Sequence, residues 1–136
     1  SAASDVYKRQ MLARRKETIA RYDEALKPLN VAVLDHYNEE HTSSGHLYLV
    51  RLLGRTREEA NRVIEQMAER GIATNVHYKP LPMMTAYKNM GFDIKDFPNA
   101  YRMFENEITL PLNTRMTDED VAYVIENFVD IVTNLK

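Results

Sequence analysis

The stretch LYLVRLLGRTREEANRVIEQMAERGIATNV, from Leu47 to Val76, constrains the fold more than any other part of the chain. Leu47 to Leu53 is a short apolar run with one aromatic residue and reads as a strand. Thr56 followed by Glu59 is a capping-box pattern, and Ala60, Val63, Ile64, Met67 and Ala68 then share one face of a helix. Gly71 can end that helix in a left-handed conformation. A second strand candidate, IATNVHY, begins at once. The whole unit has about the 30 residues that a crossover between parallel strands needs. Two adjoining parallel strands are the simplest outcome, and the other arrangement inserts a strand between them.

The flanking sequence supplies the remaining elements. From about Met11 to Lys27, Leu12, Ile19, Tyr22 and Leu26 recur at helical spacing among charged residues, and Pro28 ends the helix. Val31 to Leu34 fits a short strand, while Asp35 to His46 is polar and turn-rich and reads as a surface loop. After Tyr78, Pro80 and Pro82 remove two backbone donors, stop the strand and favour extended geometry at Lys79 and Leu81. A short helix over Met83 to Asn89, another from Pro98, and a strand in EITLPL follow. Thr117 then caps a last helix whose core face is Val121, Val124, Ile125, Phe128 and Val132. With no repeat or second domain in view, the expectation is one α+β domain, a few-stranded sheet with helices packed on one side.

Charge and composition narrow the function. A formal net charge of −2 argues against nucleic acid as a partner, because that affinity rests on a basic face. No apolar run approaches the roughly 20 residues that cross a bilayer, so no membrane partner is expected. Cysteine is absent, which rules out disulfides and thiolate chemistry and is compatible with the cytoplasmic location expected here.

Catalytic motifs are sparse: there is no Gly-rich phosphate loop, nucleophile elbow or metal-protease signature. His36, His41 and His46 recur every five residues around Glu39 and Glu40. That spacing matches neither one helix face nor one strand face, so a solvated loop is preferred to a metal site. His77, Tyr78 and Lys79 stand where a strand ends and the prolines swing the chain outward. They either line a cleft or, with His77 and Tyr78 covering the sheet edge and Lys79 solvated, serve no site. Nothing apolar or cationic beside Lys79 in the sequence would activate it for imine formation.

The order of these residues carries a resemblance. GIATNVHYKPL, with Tyr87 nine residues after Tyr78, then ITLPL and MTDEDVAYVIENF, resembles the C-terminal part of the DegT/DnrJ/EryC1/StrS family of sugar aminotransferases, from about Arg14 to Val132. The resemblance implies the small C-terminal domain of an aspartate-aminotransferase-like (type I PLP) fold. Residues 11–28 would be the tail of the interdomain connecting helix and 29–136 the small domain.

The implied parent uses pyridoxal 5'-phosphate to move an amino group, usually from glutamate, to a keto group of a nucleotide-linked sugar, in polysaccharide or glycoconjugate biosynthesis. It works as a homodimer, with the imine lysine and most cofactor contacts in an upstream large domain. None of the seven lysines here stands in the family's imine context. The fragment alone is therefore expected to be inactive, with no catalytic residue of its own. His77 and Tyr78 would face the cleft near the nucleotide-sugar, Pro80 would shape the loop, and His46, at the start of its strand, is a further candidate. Pro82 and Asn113 stand where the family often has histidine, so contacts from those histidines are not carried over.

Two other readings use the same strand, helix, strand unit. One is a stand-alone α/β ligand-binding or regulatory module, the other a dimerisation domain with a self-matching apolar patch. Finally, residues 1–10, SAASDVYKRQ, resemble the translation of transposase adapter DNA used to prepare sequencing libraries. They are expected to be an adapter-derived artefact, with the reading frame continuing upstream of Met11.

Overall fold

The computed structural model describes all 136 residues. Five helices and a three-stranded sheet occur in the order α1 (Ala2–Leu26), β1 (Val31–Val33), β2 (Tyr48–Leu52), α2 (Arg57–Glu69), α3 (Thr85–Asn89), α4 (Pro98–Phe104), β3 (Glu107–Leu110) and α5 (Asp118–Thr133). The α+β expectation holds. The sheet order is β1-β2-β3, and both pairings are antiparallel.

Local chemistry sets the element ends. The Thr56 hydroxyl accepts from the Glu59 amide at 3.2 Å, and the Glu59 carboxylate accepts from the Thr56 amide at 2.8 Å. That reciprocal bond, helped by Arg55, pushes the Glu59 carboxyl down to about 2. Thr117 and Asp120 repeat the arrangement at the start of α5, each cap contributing about 1 kcal/mol. Past α2 the chain turns at Gly71, whose φ of 76° is one that other residues resist.

The core lies on one face of the sheet. Tyr48, Val50 and Leu52 alternate inward from β2 and meet Ile108 and Leu110 of β3. Against them pack Ile19, Tyr22 and Leu26 of α1, Ala60, Val63 and Met67 of α2, and Val121, Val124, Phe128 and Ile131 of α5. Each fully buried side chain of this size contributes roughly 1.5–3 kcal/mol. Arg14 of α1 ties the helices together by donating to the Asp118 carboxylate at 2.8 Å and to the Met116 carbonyl at 2.9 Å. This bond to Arg14 holds the Asp118 carboxyl below its usual range.

Several expectations are corrected. IATNVHY is no strand: only Asn75 bridges, antiparallel, to Thr109, with bonds of 3.2 and 2.8 Å. β3 therefore lies between β2 and this segment, the inserted arrangement rather than the adjoining one. The ladder ends because Val76 donates to its neighbour's Asn75 side chain and His77 donates to the Glu107 carboxylate. Leu81 is not extended, since Leu81–Met83 forms a 3₁₀ turn that holds Pro82 in its first turn, where no amide donor is needed. On α5, Ile131 rather than Val132 is in the core, and Asn127 is buried because it accepts from Arg70 at 2.9 Å. The first helix extends back beyond Met11 to Ala2, capped by Ser1, with every side chain of residues 1–10 exposed.

The loop over 35–46 is polar but not wholly solvated. His36 is buried, its ring stacked on Tyr48 at 5.9 Å and bonded to Ser43 at 3.0 Å. The chain can come this close because Gly45, at φ 60°, sits against Ile19 and Arg15, where a Cβ would lie 3.0 and 3.1 Å from their side chains.

Candidate functional site

The sheet face turned away from α1, α2 and α5 carries a cleft of about 190 Å³, which Met103 of α4 also lines. Ala32, Leu34 and Leu49 form its apolar floor, and Arg51, His77 and Glu107 are its polar members. Register explains the grouping. Ala32 pairs with Arg51, and Arg51 with Glu107, so all three project to the face opposite Val50 and Ile108.

His77 is held from two sides. Its amide donates to Glu107 Oε2 at 3.0 Å, and its ring Nδ1 lies 2.9 Å from Thr109 Oγ1. Thr109 in turn donates to Glu107 Oε1 at 2.6 Å. Glu107 is only 3% exposed, yet both its oxygens are satisfied. The main chain on either side of it is pinned by Arg57, whose Nη1 donates to the carbonyls of Phe104 at 2.9 Å and Glu107 at 2.7 Å. Burial pushes the Arg57 pKa down and the Glu107 charge opposes that shift. Arg51 is turned toward Asn106 at 3.3 Å and the Met103 sulfur at 3.5 Å.

The four residues expected to bind substrate are not all in one place. His77 lines the cleft. Tyr78 meets the His77 ring edge-on at 4.7 Å, but it is 74% exposed and outside the cleft lining. Pro80 precedes the 3₁₀ turn and leads the chain away. His46 is exposed in a neighbouring groove that shares Leu34 and Leu49 with the cleft. Arg51, Glu107 and Thr109 were not anticipated. Their signal was a charged or polar residue at alternate positions of two apolar strands, which marks a face but names no partner.

These groups can bind and orient a polar ligand over an apolar floor. Pyridoxal phosphate chemistry would need an imine lysine. The cleft has none: its one cation is Arg51, and Lys79, nearest to His77 in sequence, is exposed. The residues present do not fit a cofactor site by themselves, and their part is confined to binding and positioning.

The sequence profile of the DegT/DnrJ/EryC1/StrS aminotransferase family matches residues 7–129, and the chain belongs to that family. Among solved structures it is similar to Spr1654 of Streptococcus pneumoniae, described as a candidate sugar aminotransferase. In its PLP form that protein superposes with a TM-score of 0.89 and 48% identity, over 93% of this chain and 32% of Spr1654. The spore coat polysaccharide biosynthesis protein SpsC of Bacillus subtilis is 32% identical over 90% of this chain and 32% of its own length. The dTDP-4-dehydro-2,3,6-trideoxy-D-glucose 4-aminotransferase of Saccharopolyspora spinosa is 31% identical over 88% of this chain and 29% of its own. The chain thus spans about a third of the length of the relatives it matches. No helix is long and apolar enough to cross a membrane.

Proposed function

We propose that this chain is the small C-terminal part of a PLP-dependent aminotransferase that transfers an amino group from an amino acid, glutamate, to a keto group of a nucleotide-linked sugar. Residues 11–28 are the tail of the connecting helix, 29–136 the small domain, and 1–10 adapter-derived. The parent is a homodimer working in the cytoplasm to supply amino sugars for polysaccharide or glycoconjugate assembly. The likeness to SpsC and to the Saccharopolyspora enzyme supports the sugar substrate.

The observation that carries this reading is the open sheet face. Its cleft offers an apolar floor and a fixed histidine but no lysine, the complement expected of a domain that closes over a site built elsewhere. Large apolar side chains also stand exposed in the segment that follows, among them Leu81, Met90, Phe92 and Met103, where a further domain can cover them. In the closed parent, PLP held by residues outside this chain would supply the electron sink. His77 orients a polar group of the sugar nucleotide, with exposed Tyr78 beside it as a further contact, Pro80 shapes the loop that follows, and the apolar floor excludes water.

Two measurements test this. Reading the source DNA upstream of the Met11 codon should show an open frame for about two more domain lengths, including a lysine suited to an imine. A ribosome-binding site and stop codon just before Met11 would overturn the proposal. The purified 136-residue chain, given PLP, glutamate and a 4-keto nucleotide-sugar, should show no turnover. Amino-sugar formation by it would refute the division of labour.

A further inference from the structure

His77 has two ring nitrogens, and only Nδ1 is engaged within the chain. Which nitrogen carries the proton decides whether the cleft meets a donor or an acceptor. The neighbouring bonds settle the matter by proton counting. As a carboxylate Glu107 only accepts, from the His77 amide at one oxygen and from the Thr109 hydroxyl at the other. Thr109 has a single hydroxyl proton, and at 2.6 Å it is given to Glu107. Its oxygen can therefore only accept from the imidazole, so the proton sits on Nδ1.

We infer that Glu107, acting through Thr109, is a positioning residue that fixes neutral His77 in the Nδ1–H tautomer, so that Nε2 offers the cleft a hydrogen-bond acceptor. The ligand group that fits is a donor, such as a sugar hydroxyl; a carbonyl or phosphate oxygen is disfavoured against a bare Nε2. The identity of the ligand as a nucleotide-sugar rests on the proposed function, whereas the tautomer does not. The relay is built rather than incidental. Glu107 is buried, its main chain is clamped by Arg57, and the His77 amide needs the second carboxylate oxygen.

The design has a reversible sense. In Glu107→Gln, the His77 amide still requires an oxygen, so the side-chain NH₂ must face Thr109. The Thr109 hydroxyl then accepts from that NH₂ and donates to Nδ1, which moves the imidazole proton to Nε2. A hydroxyl is sufficient for the relay, so Thr109→Ser preserves the tautomer, while Thr109→Val removes it.

The test is a long-range ¹H–¹⁵N correlation spectrum of the ¹⁵N-labelled full chain at about pH 8, where imidazoles are neutral. His77 is assigned by its loss in His77→Asn. The expected spectrum shows Nδ1 protonated and Nε2 bare in the wild type and in Thr109→Ser. Glu107→Gln should show the two nitrogens exchanged. Thr109→Val should show loss of the fixed Nδ1–H. A wild type with Nε2 protonated, or a Glu107→Gln spectrum like the wild type's, overturns the inference. If Glu107→Gln does not fold, the wild type and the serine and valine pair still decide the case, because packing alone would not move a tautomer. A protonated Nε2 would leave the aminotransferase reading standing, and a stop codon before Met11 would remove that reading while leaving the tautomer in place.

Discussion

Replacing Tyr22 by phenylalanine isolates one hydrogen bond at the joint between α1 and the rest of the domain. The Tyr22 ring is fully buried, 4.9 Å from the ring of Tyr48, and its hydroxyl donates to the Pro111 carbonyl at 2.6 Å. Burial drives the phenol pKa upward, so the group is a neutral donor at every pH of interest. The phenylalanine variant keeps the ring and its packing and leaves the carbonyl without its donor. An unsatisfied buried acceptor costs about 1–3 kcal/mol, and the half-buried position of Pro111 places this case at the lower end, about 1–2 kcal/mol. Tyr22→Ala loses the ring as well and falls in the range of about 3–5 kcal/mol for emptied aromatic sites. Urea titration followed by circular dichroism measures both, with a lower midpoint and an unchanged slope expected for the phenylalanine variant. If that variant is as stable as the wild type, water reaches Pro111 and the Tyr22 hydroxyl contributes nothing to holding the helix.

Two further outcomes are expected. Burial pushes the His36 pKa below its ordinary 6.5, against the opposing charges of Asp23 and Asp35, so the unfolded chain takes up its proton first. Stability should be full above about pH 6.5 and fall as acid takes the solution down through the depressed value. A urea-midpoint series from pH 8 to pH 5 should slope less in His36→Gln, and equal slopes would remove His36 as the cause. Deleting residues 1–10, all exposed and bonded only to one another and along the helix, should shift stability by no more than about 0.5 kcal/mol. A larger loss in thermal or urea unfolding would show that the segment belongs to the folded domain.

Much of the fold was legible. The capping pair Thr56/Glu59 and the cap Thr117 name the starts of α2 and α5, and the apolar run Leu47 to Leu53 contains β2. The site was legible only in part. His77 lines the cleft, Tyr78 and Pro80 are outside its lining and His46 lies in the next groove. Glu107 and Thr109 could not be read as its partners, because alternation assigns them a face and leaves open which chain segment will lie beside them.

That division follows from range. Caps, turns at glycine and apolar periodicity act within about four residues, so the sequence alone determined where α2 and α5 begin, where α2 ends and which side of these helices is mainly apolar. Strand order and the surroundings of His77 depend on pairings across long loops. β3 is drawn to the free edge of β2 by four residue pairs, and only then does Thr109 stand beside Asn75 and His77, 32 residues away in sequence from the histidine. Such a contact costs loop-closure entropy that local sequence cannot offset, and it forms only when the whole core packs. The tertiary structure therefore decided that IATNVHY leaves the ladder after one bridge, that a carboxylate is buried behind it, and that His77 presents a defined nitrogen to the cleft.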